Sequence, residues 1–209
     1  MPSREFSASE FQSALEILDA QLGTSRHVSP IKLVCAGGYV AVSYLRNRLS
    51  TRDIDYFIDP EIDNRFGVYS KFYQAVSVAA ESHVLTTDWI NSRMEVFTMP
   101  QAYQRVLFRK SIEQNVILWQ GRNFVIYAIQ WEWSLAQKLR RIAVKPRQND
   151  VSDAVALLKV MVDNNGGPIH GSTIKAIGSD NILSVPIQDP ELVQVATAFK
   201  KKFGINGVQ

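Results

Sequence analysis

The sequence has very little cysteine: Cys35 is the only one in 209 residues, so no disulfide can form within the chain. Its position in the apolar run IKLVCA predicts a buried, inert thiol rather than a nucleophile. The three histidines show no metal-ligand spacing, which argues against a zinc site. A chain without disulfides suits a reducing compartment, so we expect a cytoplasmic location, with the nucleus as the alternative.

Long apolar segments and a strong net charge are also missing. No apolar run approaches the roughly 18 to 20 residues that cross a bilayer, and the first ten residues contain no apolar signal core. We therefore expect no membrane partner. The formal net charge of +3 permits a nucleic-acid partner but does not require one.

Two common phosphate-binding signatures are absent as well. The sequence contains neither G-x-x-x-x-G-K-[ST] nor a G-x-G-x-x-G that opens a helix, which excludes the common P-loop and Rossmann sites. What is present is a hydrophobic content of 46% and an aromatic content of 10%, which is enough for a real core.

The order of the predicted elements indicates an α/β chain that forms one compact unit over residues 1–209. Residues 28–130 form the predicted core, which begins with a strand, a glycine turn, a helix and an acidic strand. Farther along, RMEVFTM is predicted to be a strand that Pro100 ends, and VILWQ and FVIYAIQ a hairpin around GRN. Residues 131–209 are predicted to be a helical C-terminal region.

Asp53 and Asp55 begin the predicted strand DIDYFID. Side chains alternate along a strand, so both carboxylates are predicted to lie on one face. Two carboxylates at such a short distance raise each other's pKa unless a cation or hydrogen-bond donors lie between them. A Mg²⁺ site is therefore the first hypothesis. Upstream, Gly37 and Gly38 precede a predicted helix and allow backbone N–H groups to approach a phosphate.

At these residues the sequence resembles a known superfamily. The stretch GGYVAVSYLRNRLSTRDIDYF resembles the signature of nucleotidyltransferases related to DNA polymerase beta, and most closely their minimal, abortive-infection toxin-like branch. The resemblance covers residues 31–160. The matching positions are Gly37, Gly38, Arg48 or Arg52, Thr51, Asp53 and Asp55.

The resemblance implies a nucleotidyltransferase fold, in which helices flank a small mixed β-sheet. It also implies Mg²⁺-dependent transfer of a nucleoside monophosphate from an NTP to a hydroxyl, and leaves the acceptor open among RNA, protein and small molecules. Asp53 and Asp55 would then be catalytic and hold Mg²⁺, while Gly37, Gly38 and Thr51 would bind the nucleotide.

Active members of the superfamily usually carry a third carboxylate on a neighbouring strand. The best-placed residue is Glu95 in RMEVFTM, which we predict as the third catalytic acid. Asp59 lies about 13 Å beyond Asp55 along the strand and is the weaker substitute. Because glutamate replaces the usual aspartate, the alternative is a catalytically inactive protein of this fold that binds nucleotide or a protein partner. A metal-dependent glycosyltransferase is a more distant third possibility.

Lys138 lies on the apolar stripe of the predicted helix WEWSLAQKLRRIA. A lysine there must either extend its head group to solvent or find an anion. If this helix packs across the mouth of the site, we predict that Lys138 contacts a nucleotide phosphate, and the resemblance also favours a lysine here. Arg140 and Arg141 are predicted to face solvent. Asp150 and Asp153 open the next predicted helix, where carboxylates suit the cap and the helix dipole.

Overall fold

The structure is a computed structural model that describes residues 4–23, 30–62, 67–83, 85–86, 88–177 and 185–209. His27, one of the three histidines, lies outside these ranges. The chain divides into two compact units, Met1–Ile129 and Gln130–Gln209, which we call unit 1 and unit 2. Their boundary falls beside residue 131, where the helical C-terminal region is predicted to begin.

Unit 1 contains a sheet and the helices that cover it. In chain order its elements are α1 (Ala8–Leu22), β1 (Ile31–Ala36), α2 (Gly38–Ser43), β2 (Ile54–Ile58), α3 (Val68–His83), β3 (Ile90–Asn91), a 3₁₀ helix (Arg93–Thr98), α4 (Gln101–Gln114), β4 (Ile117–Gln120) and β5 (Phe124–Ala128).

The described strands form one five-stranded mixed sheet in the order β3-β2-β1-β5-β4. β1 runs antiparallel to β2 and parallel to β5, β3 runs parallel to β2, and β4 and β5 form the predicted antiparallel hairpin. The mixed α/β class predicted from the sequence is therefore confirmed.

Aromatic pairs attach helices to both faces of this sheet. On one face, the ring of Phe72 in α3 lies 5.5 Å from Tyr56 and 6.3 Å from Phe124, measured between centroids. On the other face, Phe108 of α4 lies 5.8 Å from Phe57. Such pairs contribute about 0.5–1.5 kcal/mol each beyond their buried area, so they fix which helix covers which face.

The predicted strand over RMEVFTM is wrong: residues Arg93–Thr98 form a 3₁₀ helix. Burial explains the difference, because Met94 and Thr98 are buried while Val96 is 74% exposed, a pattern that alternation cannot produce. The Thr98 hydroxyl also donates to the carbonyl of Glu95 at 2.9 Å, which stabilises the turn. The neighbouring strand comes earlier, as the two-residue β3.

Unit 2 is helical, as predicted. Its elements are α5 (Trp131–Val144), α6 (Asp150–Asn165), α7 (Gly171–Lys175) and α8 (Asp189–Phe203). A parallel bridge between Ile169 and Val208 ties the segment before α7 to the one after α8. Across both units, no described helix is long and apolar enough to cross a membrane.

Candidate functional site

The two aspartates of the predicted metal site lie at the start of β2. Asp55 is opposite Ala36 of β1 and Asn91 of β3 in the sheet register, and Asp53 immediately precedes the strand. Strand alternation puts both carboxylates on the face of Phe57, which α4 covers, and Tyr56 on the opposite face. The sheet thus brings the two acids together at the end of β1, where the glycine turn begins.

Gly37 follows β1 directly and has φ +76° and ψ −136°, a backbone conformation that is essentially restricted to glycine. The Asp55 Oδ2 atom lies 3.5 Å from the position that a Cβ of Gly37 would occupy. This is an ordinary contact distance, so conformation rather than space requires glycine here. The structure therefore places the Asp55 carboxylate against the turn.

Gly38 is required for the opposite reason, which is space. A Cβ at Gly38 would lie 1.9 Å from the Thr51 hydroxyl oxygen and 2.8 Å from the Thr51 Cβ. Thr51 itself is buried, and its backbone exchanges two hydrogen bonds with Phe6, at 2.7 and 3.0 Å. Thr51 thus packs the glycine turn against the segment that precedes α1.

Asn91 and Arg93 surround the Asp53 carboxylate. The Asn91 Nδ2 atom donates to Asp53 Oδ2 at 3.1 Å, and Arg93 Nη1 lies 3.9 Å from the same oxygen. Burial raises the pKa of Asp53, while the Asn91 hydrogen bond and the Arg93 charge oppose that shift without cancelling it. The ionised carboxylate is thus only partly compensated by the residues around it.

Cys35 is fully buried in β1, as predicted. Burial raises the pKa of its thiol, and the charges of Asp55 and Asp53 raise it further. The predicted burial of Cys35 is thus confirmed, and a buried thiol with a raised pKa is expected to be unreactive.

Glu95 lies in the 3₁₀ helix, not on a strand beside Asp55. Burial raises the pKa of Tyr56 and of Tyr69, and the charge of Glu95 raises both further. Burial also raises the pKa of Glu95 itself. Tyr56 points to the face of β2 opposite Asp55. The third carboxylate predicted from strand alternation therefore lacks the strand on which the prediction depended.

Lys138 belongs to unit 2, where it is buried and bonded to carboxylates of the same unit. Its Nζ atom donates to Asp153 and, at 3.3 Å, to Asp150. Burial lowers the pKa of Lys138, and the charge of Asp153 opposes the shift. Two carboxylates of α6 are thus the anions that Lys138 contacts.

Arg141 was expected in solvent, and that prediction is wrong. Its Nε atom donates to both Asp150 oxygens at 2.9 Å, and its Nη2 atom also donates to Asp150. Asp150 and Asp153, the carboxylates that pair with Lys138 and Arg141 of α5, are buried, with exposed fractions of 0% and 1%. We call Lys138, Arg141, Asp150 and Asp153 the α5–α6 ion cluster.

The donor set at β2 fits Mg²⁺. Asp53 and Asp55 supply carboxylate oxygens on one face, and Mg²⁺ is commonly held by one or two carboxylates with water and substrate phosphates completing the shell. A cation would also compensate the ionised Asp53. In the part of the chain that the structure describes, no group of three or more His, Cys, Asp or Glu side chains forms a larger metal site.

Two residues of the site escaped the sequence analysis. Asn91 faces Asp55 across the β2–β3 register, and Arg93 follows it two residues later. Asn91 lies within residues 31–160, which the resemblance covers, but β3 has only two residues, too few to show a strand periodicity. An amide therefore occupies the neighbouring-strand position where the resemblance leads one to look for a carboxylate.

Comparison with known families adds one assignment. The family described as "Domain of unknown function (DUF7582)" matches residues 6–206. The chain belongs to the DUF7582 family. The match spans both units, so the DUF7582 domain includes the helical unit 2 as well as the sheet. No curated protein and no solved structure matches the chain significantly.

Asp53→Asn is expected to stabilise unit 1 at pH 7 by about 0.5–2 kcal/mol, the range of single stabilising substitutions. Because the folded pKa of Asp53 is raised, its ionisation costs folding free energy above that pKa. The cost vanishes below the ordinary aspartate value of 3.8, where Asp53 is protonated in both states. Urea unfolding at pH 7 and below pH 3.8 measures both differences.

Asp59→Asn, at the other end of β2, is the matched control for this measurement. A variant Asp53→Asn that is less stable than the wild type at pH 7 would contradict the prediction. It would mean that the bonds from Asn91 and Arg93 outweigh the cost of burial.

Proposed function

We propose that unit 1 binds Mg²⁺ and an NTP at Asp53 and Asp55 and transfers the nucleoside monophosphate to a hydroxyl acceptor. One observation carries the proposal: two carboxylates lie on one face of β2, and the Asp55 carboxylate lies against Gly37. Gly37 has a conformation restricted to glycine and therefore carries no side chain beside Asp55. This is the arrangement expected of the nucleotidyltransferase fold that the sequence resembles.

Each residue has a chemical task in this proposal. Asp53 and Asp55 hold the metal, and Asn91 orients the Asp53 carboxylate by donating to its Oδ2 atom. When bound, Mg²⁺ neutralises charge on the phosphates of the substrate. Gly37 has no side chain to keep the triphosphate from the backbone.

The reaction itself breaks one bond and forms another. The acceptor oxygen bonds to the α-phosphorus, the bond from that phosphorus to the oxygen bridging the α- and β-phosphorus atoms breaks, and pyrophosphate leaves with that oxygen. The amide of Asn91 cannot take the proton of the hydroxyl, so that proton passes to solvent. We therefore expect slower turnover than in a site with a third carboxylate.

A second candidate function is nucleotide binding without turnover, in the service of regulation or of recognition of a protein partner. Asn91 favours it, because an amide cannot serve as a general base where β3 faces Asp55. The two candidates share the metal and nucleotide contacts and differ in whether label leaves the NTP.

Label transfer tests the proposal. The purified chain is incubated with Mg²⁺ and each α-labelled NTP, with and without cell extract, beside Asp53→Asn, Asp55→Asn and the control Glu81→Gln, which changes an exposed carboxylate of α3. We expect label on an acceptor with the wild type and the control, and a fall to background in the two site variants. Mg²⁺-dependent binding without transfer would establish the second candidate, whereas neither binding nor transfer would refute both.

A further inference from the structure

Arg93 lies at the edge of the proposed metal site, between two carboxylates. Its Nη2 atom donates to Asp88 Oδ2 at 2.8 Å, and its Nη1 atom is 3.9 Å from Asp53 Oδ2. The Arg93 side chain is 66% exposed and that of Asp88 is 52% exposed. Exposed ion pairs contribute little free energy, so the guanidinium can leave Asp88 at small cost. Asp53 is only 26% exposed, but its oxygen lies 3.9 Å from Arg93, at the outer limit of an ion pair.

The backbone of Arg93, in contrast, is fixed to the site. Its N–H donates to Asn91 Oδ1 at 3.1 Å, and Asn91 Nδ2 in turn donates to Asp53 Oδ2 at 3.1 Å and to the Asp88 carbonyl at 3.2 Å. Asn91 thus links the backbone of Arg93 to Asp53, the carboxylate that would hold the metal. Any change of partner requires rotation of the side chain alone.

A guanidinium beside Asp53 and a divalent cation on Asp53 repel each other. A metal held by Asp53 and Asp55 would therefore displace Arg93 from Asp53. The backbone bond to Asn91 would keep the Arg93 side chain beside the site, where a metal-bound NTP would bring several negative charges. Guanidinium is well suited to that ligand, because its planar fork donates two parallel hydrogen bonds to phosphate oxygens.

We propose that Arg93 is a triphosphate-binding residue: it pairs with Asp53 in the free protein and turns to the phosphates of the NTP when the metal occupies Asp53. The inference rests on the proposed function, and it assigns to Arg93 the phosphate contact that the sequence predicts for Lys138. It predicts effects of opposite sign on two ligands, which a merely structural residue would not produce.

The test is calorimetric titration of Arg93→Gln with Mg²⁺ alone and with each NTP in saturating Mg²⁺. We expect Mg²⁺ alone to bind several-fold more tightly than to the wild type, because a competing cation has been removed. We expect the affinity for Mg²⁺–NTP to fall at least tenfold, and that for the nucleoside monophosphate to fall less. Arg93→Lys, which keeps the charge but loses the fork, should leave Mg²⁺ affinity unchanged and lower NTP affinity by an intermediate amount.

Arg122→Gln is the matched control, because Arg122 lies in the β4–β5 turn at the far edge of the sheet and should change neither affinity. If both affinities fall in Arg93→Gln, Arg93 supports the structure of the site and the inference is overturned. If neither affinity changes, Arg93 contacts neither ligand, and the inference is overturned while the proposed function stands. A wild-type chain that binds neither Mg²⁺ nor NTP overturns the inference together with the proposed function.

Discussion

Asp150→Asn is expected to lower the free energy of unfolding of unit 2 by about 3–5 kcal/mol, the usual cost of removing one partner of a buried ion pair. Asp150 is fully buried and accepts hydrogen bonds from Lys138 at 3.3 Å, from Arg141 at 2.9 Å and from the backbone N–H of Arg147 at 2.8 Å. An asparagine would aim its NH₂ group at one or more of these donors. Two cations would then face the single carboxylate of Asp153.

The predicted loss depends on pH with a definite sign. Burial alone would raise the pKa of Asp150, but hydrogen bonds from Arg141 and Arg147 and the charge of Lys138 lower it overall. The stabilisation is therefore fully present above the ordinary aspartate value of 3.8 and is lost as pH falls through the lower folded pKa. Urea unfolding at pH 7 and in acid should show the difference between wild type and variant shrinking at low pH.

Asp163→Asn is the matched control in the same helix. Asp163 is exposed and pairs with Lys159 one turn away at 2.6 Å, an interaction worth about 0.3–0.5 kcal/mol. If Asp150→Asn loses no more free energy of unfolding than this control, solvent or a rearrangement of side chains has replaced the missing carboxylate. The α5–α6 ion cluster would then not be what joins the two helices.

Gly38→Ala is expected to destabilise unit 1 by about 1–3 kcal/mol or somewhat more, because it overpacks a buried contact. Rotation of Thr51 can move its hydroxyl, which is 1.9 Å from the new methyl group, but not its Cβ atom, which is 2.8 Å away. The backbone of Thr51 is held in turn by the bridge to Phe6. Relief therefore requires the turn or the bridge to move.

A double-mutant cycle with Thr51→Gly isolates this contact. Gly38→Ala should cost less in the Thr51→Gly background than in the wild type, with a coupling of about 0.5–3 kcal/mol measured by urea unfolding. Simple additivity of the two single changes would contradict the steric explanation. The cost of the methyl group would then arise outside the contact with Thr51.

The sequence predicted the parts of the site that follow from local periodicity. Alternation in DIDYFID places Asp53 and Asp55 on one face, and the apolar run around Cys35 predicts a buried strand; both depend on neighbouring residues only. The position of Lys138 on a helix stripe predicts a buried stem and leaves open whether its head group reaches solvent or an anion. The contacts with Asp150 and Asp153 depend on how two helices pack, which their separate patterns do not contain.

The failures have a common physical origin in short elements. β3 is too short for its alternation to be recognised, so Asn91 was overlooked as a neighbour of Asp55. The alternating polarity of Arg93, Met94, Glu95 and Val96 imitates a strand, although tertiary burial of Met94 and Thr98 selects a 3₁₀ turn. An element this short is set by what it packs against rather than by its own sequence.

The burial of Cys35 has a practical consequence for spectroscopy on this chain. The only native thiol is inaccessible and protonated, so an alkylating dye or spin label should react with it only when β1 opens. A cysteine introduced on the surface of either unit can therefore be labelled selectively without replacing Cys35. The core of unit 1 keeps its native packing while the introduced label reports on the unit that carries it.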